Sequence, residues 1–256
     1  MLNKIIEAVK KAGEIYKNAD ADLGIEDKGS AVNLVTKYDK MIQDFLFEEL
    51  ERICPGCSFL GEEGEGNKML SDGYCFIIDP IDGTTNFIKG FQHSAISVGL
   101  AKDKQLIMGV VLDPDLNNLY YAEKGKGAYL NGKKISVSDC DMKDSLILFG
   151  TCPYEHELAE KTFRLTEQVF YKCIEVRRGG SAALDICYVA AGKADLYYEM
   201  ILRPWDFAGA MVILKEAGGL CCTLEKDEID INQIRSFVCG NKINTEEFFK
   251  IANEIL

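Results

Sequence analysis

Ile77-Ile78-Asp79-Pro80-Ile81-Asp82-Gly83-Thr84-Thr85-Asn86-Phe87 joins an apolar run to two acids, a proline and a hydroxyl pair. Phe76, Ile77 and Ile78 read as a short buried strand. Pro80 has no N–H to give to a ladder, so the chain is expected to turn there, with Asp79 and Asp82 flanking the turn. Gly83 to Ile88 reads as the first turns of a short helix with Asp82 as its N-cap. A helix start offers unpaired N–H groups and a positive dipole end, which suit a phosphate.

Upstream, Gly61-Glu62-Glu63 follows a second strand-like run, Cys57 to Leu60. Glu62 and Asp79 are therefore expected at one edge of a sheet, where layered α/β architectures place their ligand sites. Oxygen-only donors suit a small hard cation such as Mg²⁺, held by a few carboxylates together with substrate phosphate. Each acid alone also has an ordinary reading as a strand end or a helix cap. Gly61-Glu62-Glu63-Gly64-Glu65-Gly66 has neither the spacing nor the charge of a phosphate-cradling loop.

The 29 Lys and Arg against 41 Asp and Glu leave a net charge of −12 on 256 residues, which disfavours nucleic acid as a partner. No apolar run approaches membrane-spanning length. The ten cysteines are scattered through a chain too large for a disulfide-stapled scaffold, and Met1 to Lys11 lacks a signal-type apolar core. A reduced, cytoplasmic protein is the expectation. Cys54-Pro55-Gly56-Cys57 has no second CxxC to complete a zinc site and reads as a turn. Cys221-Cys222 reads as core. His93 and His156 occupy no ligand or triad spacing and are expected to be structural.

Leu2, Ile5, Ile6, Val9, Ala12 and Tyr16, and then Met41, Ile42, Phe45, Leu46, Leu50 and Ile53, recur at helical spacing. Polar, Gly-bearing stretches at Asp20–Asn33 and Gly64–Gly73 are expected to be loops, the first mobile and near the site. Strands are expected at Ala95–Ala101, Leu106–Leu112 and Asn118–Glu123, followed by a hairpin over Tyr129–Ile135 around Asn131-Gly132. The second half alternates strand-like 146–149, helix-like 155–171, strand-like 173–176, helix-like 181–191 and strand-like 194–198. Helices at 205–217 and 245–255 close the chain. Mixed runs of this kind predict an α+β protein of layered sheets and helices. The whole of 1–256 is expected to form one domain of two packed halves meeting near residue 140.

Three blocks now carry a resemblance: Gly61-Glu62-Glu63, Asp79-Pro80-Ile81-Asp82-Gly83-Thr84-Thr85-Asn86-Phe87, and Pro204-Trp205-Asp206-Phe207-Ala208-Gly209-Ala210. In order and separation they resemble the inositol monophosphatase family of Mg²⁺-dependent, lithium-sensitive phosphatases. The likeness runs over essentially the whole chain. It implies a five-layer αβαβα sandwich, a homodimer, a small phosphorylated polyol or sugar as substrate, and two or three Mg²⁺ ions per site. By the same likeness Glu62, Asp79 and the Ile81 carbonyl would hold one ion, and Asp79, Asp82 and Asp206 another. Thr84, helped by Asp39, would order the attacking water, and Glu63 would support the ligands or hold a third ion. Gly83, Thr84 and Thr85 would meet the phosphate; Gly180, Ser181, Ala182 and Glu199 would meet the polyol.

Several residues keep two readings. Thr36-x-x-Asp39 is also a capping box, Asp206 behind Pro204 is also an ordinary first-turn acid, and Glu199 also reads as a solvated strand-end acid. Ile201-Leu202-Arg203 departs from the animal inositol enzymes. Arg203, with Arg177 and Arg178, would offer a guanidinium fork to a second phosphate, or the three are surface arginines. The expected activity is hydrolysis of myo-inositol 1-phosphate or a related polyol phosphate. Fructose 1,6-bisphosphate is the alternative substrate; a 3′-phosphonucleotide phosphatase and a non-catalytic metal-binding scaffold stand behind it.

Overall fold

The two N-terminal apolar stripes fold as helices α1 (Leu2–Lys17) and α2 (Lys37–Ile53), linked through the two-residue antiparallel strands β1 (Glu26–Asp27) and β2 (Leu34–Val35). A computed structural model describes residues 1–27, 34–64, 70 and 72–255. The expected loops Asp20–Asn33 and Gly64–Gly73 thus fall partly outside the described residues. Leu70 is buried, and its N–H donates to Asn232.

Next come β3 (Ser58–Gly61), β4 (Tyr74–Asp82), α3 (Thr84–Lys89), β5 (Ala95–Lys102), β6 (Gln105–Asp113), β7 (Asn118–Glu123), β8 (Ala128–Leu130) and β9 (Lys133–Ile135). Their strands make one seven-stranded sheet in chain order, parallel only between β3 and β4. Asn131 and Gly132 turn the last hairpin with φ of 49° and 81°, the left-handed pair such a two-residue turn requires.

The remainder gives β10 (Leu146–Phe149), α4 (Ala159–Phe170), β11 (Glu175–Arg177), α5 (Ala182–Ala190), β12 (Leu196–Leu202), α6 (Pro204–Glu216), β13 (Leu220–Cys222), β14 (Arg235–Gly240) and α7 (Lys242–Ile255). The second sheet has five strands in the order β11-β10-β12-β14-β13.

Buried side chains sort into three cores that define the layers. Ile5, Val9, Ala12, Ile42, Leu46 and Leu50 pack on Phe76, Ile78 and Val98, so α1 and α2 cover the outer face of the larger sheet. Leu184, Ile186, Phe207, Ala208 and Met211 share a core with Ile77 of one sheet and Tyr197 and Phe237 of the other, so α5 and α6 lie between the sheets. Leu165, Val169 and Phe248 back the smaller sheet. This is the αβαβα sandwich.

Close approach in the middle layer depends on missing side chains. A Cβ on Gly109 would fall 2.1 Å from the Gly209 carbonyl oxygen, and one on Gly99 would fall 3.1 Å from the Gly209 nitrogen. The bare backbone of β5 and β6 therefore sets the depth at which α6 lies.

Four expectations are corrected. Pro80 does not end β4, because the strand absorbs the proline in a register irregularity between Asp79 and Asp82, where a missing ladder donor costs nothing. Asp82 does not cap α3; its N-cap is Gly83 at φ 88°. The helix expected over 155–171 begins only at Ala159, after a 3₁₀ turn at His156–Leu158. Cys221 and Cys222 lie partly exposed on the edge strand β13 rather than in the core, and β14, which pairs with it, was not anticipated. Cys54 to Cys57 form a turn, with Gly56 at φ 79° and the Cys57 N–H donating to the Cys54 carbonyl at 3.2 Å.

Candidate active site

Along β4 the alternation is regular at first: Cys75 and Ile77 face the middle layer, while Phe76 and Ile78 face the outer helices. Asp79 follows Ile77 to the inner side. Strict alternation would then put Asp82, three residues on, on the opposite side. The irregularity prevents this: Asp79 pairs with Ser97 and Asp82 with Ala95, so three steps on β4 match two on β5. Ile81 goes to the outer core, and both acids face inward. The Ile81 N–H donates to Asp79 Oδ1 at 3.0 Å, closing the local turn.

Glu62 lies one residue past β3, its N–H still donating to the Ile78 carbonyl at 3.2 Å. Gln43 of α2 clamps the next peptide, with Nε2 donating to the Glu63 carbonyl at 2.7 Å and Oε1 accepting the Glu63 N–H at 3.0 Å. Gly61 admits that clamp, since a Cβ there would fall 2.3 Å from Gln43 Oε1. Glu62 lines the cleft; Glu63 does not.

Asp206 comes from the start of α6, which carries Pro204 in its first turn. From the first-turn position read in the sequence, its Oδ2 accepts the Arg203 N–H at 2.7 Å, and the residue also lines the cleft. Asp82 does cap a helix, but α5 rather than α3: its Oδ2 accepts from the Ala183 N–H at 2.7 Å and from the Ser181 hydroxyl at 2.5 Å.

Asp39 caps α2 with one oxygen and reaches Thr84 with the other. It is fully buried. Oδ2 accepts the Thr36 N–H at 2.8 Å, completing the capping box, while Oδ1 lies 3.2 Å from the Thr84 hydroxyl. The Thr84 hydroxyl is also 3.1 Å from the Ile81 carbonyl. Its single proton is thus drawn toward protein acceptors, leaving oxygen lone pairs to accept from a water.

Burial, and then the charges of Glu62, Asp82, Asp206 and Asp39, hold the Asp79 carboxyl well above the ordinary range. Burial likewise lifts Asp82 to about 7, against the pull of its Ser181 and Ala183 donors. Asp206 is raised by burial, then by Asp82 and Glu62. No lysine or arginine pairs with Asp79, Asp82 or Asp206 among the described residues. Beside Asp79, the buried Ser97 hydroxyl has no hydrogen-bond partner among those residues. Such an all-oxygen, self-repelling set fits Mg²⁺. Among the described residues no three His, Cys, Asp or Glu side chains form a ready-made metal cage. An open set suits an ion that keeps waters and shares phosphate oxygens.

This charge state has a thermodynamic consequence. A carboxyl raised on folding binds more protons folded than unfolded, so metal-free stability falls as pH rises through the window between the two values. For Asp82 that window runs from 3.8 to about 7. Mg²⁺ should therefore raise the melting temperature more at about pH 8 than at about pH 5 in calorimetry. An equal shift at both would remove the acids from the ion's site.

Glu199 lines the same cleft and is buried. Oε1 accepts the Cys152 N–H at 3.1 Å, and Oε2 accepts the Tyr197 hydroxyl. It is therefore not a solvated strand-end acid. Gly180, Ser181, Ala182, Gly83, Thr84 and Thr85 line the same cleft of about 370 Å³, as do Arg178 and Arg203. Arg203 lies 5.9 Å over the Tyr154 ring. Arg177 instead turns outward to Glu175 at 3.3 Å and is a surface residue.

Other contributors went unassigned from sequence. Asn86 Nδ2 donates to the His93 carbonyl at 2.7 Å and to the Gly179 carbonyl at 3.1 Å, tying α3 to the Gly179-Gly180 turn. His93 Nε2 meets Asp185 Oδ1 at 3.1 Å just behind that turn. Burial alone would lower the His93 pKa, but the Asp185 hydrogen bond and charge raise it overall. His93 is thus structural as expected, within the frame of the site; His156 is exposed. Asn86 lay inside the quoted block. The partnerships of Gln43, His93, Tyr197 and Cys152 are with residues distant or unremarked in the chain and had no local signal.

The model of the inositol monophosphatase family matches residues 1–256. Inositol monophosphatase 3 of Solanum lycopersicum is 38% identical over 99% of this chain and 96% of its own. Inositol monophosphatase 1 of Homo sapiens is 37% identical over 98% of this chain and 92% of its own. The crystal structure of extragenic suppressor protein suhB from Bartonella henselae superposes with a TM-score of 0.89 at 30% identity, covering 99% of this chain and 98% of that one.

Proposed function

The chain belongs to the inositol monophosphatase family, and from that premise we propose that it is a Mg²⁺-dependent phosphomonoesterase acting on myo-inositol 1-phosphate or a close polyol phosphate. One observation carries the reading: a single cleft is lined by mutually repelling acids, by a Gly-Ser helix start bonded to one of them, and by a buried carboxylate held on both oxygens.

Glu62, Asp79 and the Ile81 carbonyl would hold one ion, and Asp79, Asp82 and Asp206 a second, with Glu63 as support for Glu62. Bound Mg²⁺ would neutralise phosphate charge, acidify water and stabilise the leaving alkoxide. Thr84, its own proton held toward Asp39 and the Ile81 carbonyl, accepts a hydrogen bond from the attacking water and so aims it. The first N–H groups of α3, after Gly83, have no helical acceptor and are available to phosphate oxygens near Thr84 and Thr85. In the same cleft, Glu199 accepts from substrate hydroxyls, and the backbone at Gly180 to Ala182 borders the ring. Lithium inhibition is part of this proposal.

A fructose 1,6-bisphosphatase reading is favoured by one specific observation, the presence of Arg203 and Arg178 in the lining. The test is phosphate release with Mg²⁺ from inositol 1-phosphate, fructose 1,6-bisphosphate, adenosine 3′,5′-bisphosphate and glycerol 2-phosphate. Preference for the first carries the main reading. Under the alternative, Arg203→Ala should weaken bisphosphate turnover about tenfold more than monophosphate turnover, the scale of one charged hydrogen bond. Equal losses would count against it. Silence on all four with Mg²⁺ bound would leave a metal-binding scaffold.

The proposed homodimer has a candidate face. Phe163 and Phe170, seven apart on α4, are 55% and 46% exposed, and Tyr171 and Ile174 beside edge strand β11 are 66% and 64% exposed. Tyr171→Asp should convert a dimer to monomer in light scattering; a wild-type monomer ends the idea. The absence of disulfides among the described cysteines fits a reducing, cytoplasmic setting, and no described helix is long and apolar enough to cross a membrane.

A further inference from the structure

Tyr197 and Glu199 stand two residues apart on β12, so they share a strand face, and both line the cleft. The phenol donates to Glu199 Oε2 and the Cys152 N–H to Oε1 at 3.1 Å. Cys152 makes that contact from a left-handed conformation, φ 42°, which is uncommon outside glycine. Gly150 leaves the carboxylate its space, since a Cβ there would fall 1.9 Å from Oε2. The Cys152 thiol adds a longer contact to Oε1 at 3.6 Å, so donors on both oxygens fix the carboxylate plane, and Oε2, which takes only the phenol, keeps a further lone pair.

We propose that Tyr197 is a positioning residue that sets the preference for hydroxylated substrates by fixing the plane of the Glu199 carboxylate. The inference rests on the reading that Glu199 accepts from polyol hydroxyls, and it adds the device that makes that acceptance directional. Burial and the neighbouring Glu199 charge push the Tyr197 phenol up, so it remains a donor at any working pH. Burial raises the Glu199 carboxyl, while the Tyr197 and Cys152 donors pull it down. Tyr197 is fully buried among middle-layer side chains, so its ring packs in the core while its hydroxyl alone serves the cleft.

The experiment measures kcat and KM with Mg²⁺ for two substrates, myo-inositol 1-phosphate and p-nitrophenyl phosphate, the second having no hydroxyls to read. Wild type, Tyr197→Phe, Glu199→Gln and the double variant are compared. Tyr197→Phe should raise KM for the inositol phosphate about tenfold with kcat nearly kept, as loss of one hydrogen bond to a charged group implies. It should leave p-nitrophenyl phosphate unchanged, which also shows the fold intact. The effect should vanish in the Glu199→Gln background, because the two residues act as one unit. Equal losses on both substrates, or full additivity with Glu199→Gln, overturn the proposal. A silent Tyr197→Phe beside an effective Glu199→Gln overturns it while sparing the polyol reading. If Glu199→Gln is itself without effect on the inositol phosphate, the polyol reading fails and this inference with it.

Discussion

Asp79→Asn should reduce Mg²⁺-dependent phosphate release by at least about 10³-fold, the rate that several kcal/mol of lost charge stabilisation corresponds to. Asp79 is the acid on which the others act: Glu62, Asp82, Asp206 and Asp39 all raise it. Asparagine keeps the shape and can still accept the Ile81 N–H now held by Oδ1, so the turn survives while the charge is lost. The same substitution should raise the melting temperature of the metal-free protein, because it removes a buried carboxylate that its neighbours repel. Calorimetry in chelator and Mg²⁺ titration read the two effects separately. Near-normal turnover would take Asp79 out of the ion site. A fall in metal-free stability would mean that packing, not repulsion, dominates there.

Gly109→Ala should destabilise the fold strongly, because the added methyl meets main chain. The added Cβ would meet the Gly209 carbonyl oxygen at 2.1 Å and Val212 Cβ at 3.1 Å. The first of these is main chain in the middle of α6, which cannot rotate away. Overpacking of this kind costs about 1–3 kcal/mol, or roughly 2–12 °C in melting temperature for a chain of this size. Because α6 carries Asp206 one turn upstream of Gly209, lifting the helix should also weaken Mg²⁺ binding. A variant with a lowered melting temperature but unchanged Mg²⁺ affinity would show that α6 yields without moving its N-terminus.

How far the sequence foretold this molecule depends on where each signal lies. The strand at Asn118–Glu123 falls where its apolar pattern ends, and the Asn131-Gly132 hairpin where left-handed residues are written into the chain. Glu62, Asp79 and Asp82 were legible by type and spacing and Asp206 through the family likeness, and all four line one cleft. Asp39 has two readings in the sequence because one carboxylate carries two oxygens; in the fold one meets the Thr36 N–H and the other the Thr84 hydroxyl. β14 escaped because three apolar residues, Phe237 to Cys239, in a polar neighbourhood make a weak strand signal, strengthened only by pairing with β12 and β13. The clamp of Gln43 on Glu63 and the Tyr197-Glu199-Cys152 contact depend on tertiary proximity, which no local pattern carries.

The irregular step at Pro80 and Ile81 fixes which side chains the active cleft sees. Drawn out into even alternation at the same length, it would exchange two residues' surroundings: Ile81 would enter the acid-lined cleft, and Asp82 would be driven among Ile78, Ile96 and the outer helices. Losing one residue of the step would instead leave Asp79 and Asp82 two apart and facing the cleft by alternation alone. Libraries built on this scaffold can shorten the step and keep both acids inside, but cannot flatten it at its present length.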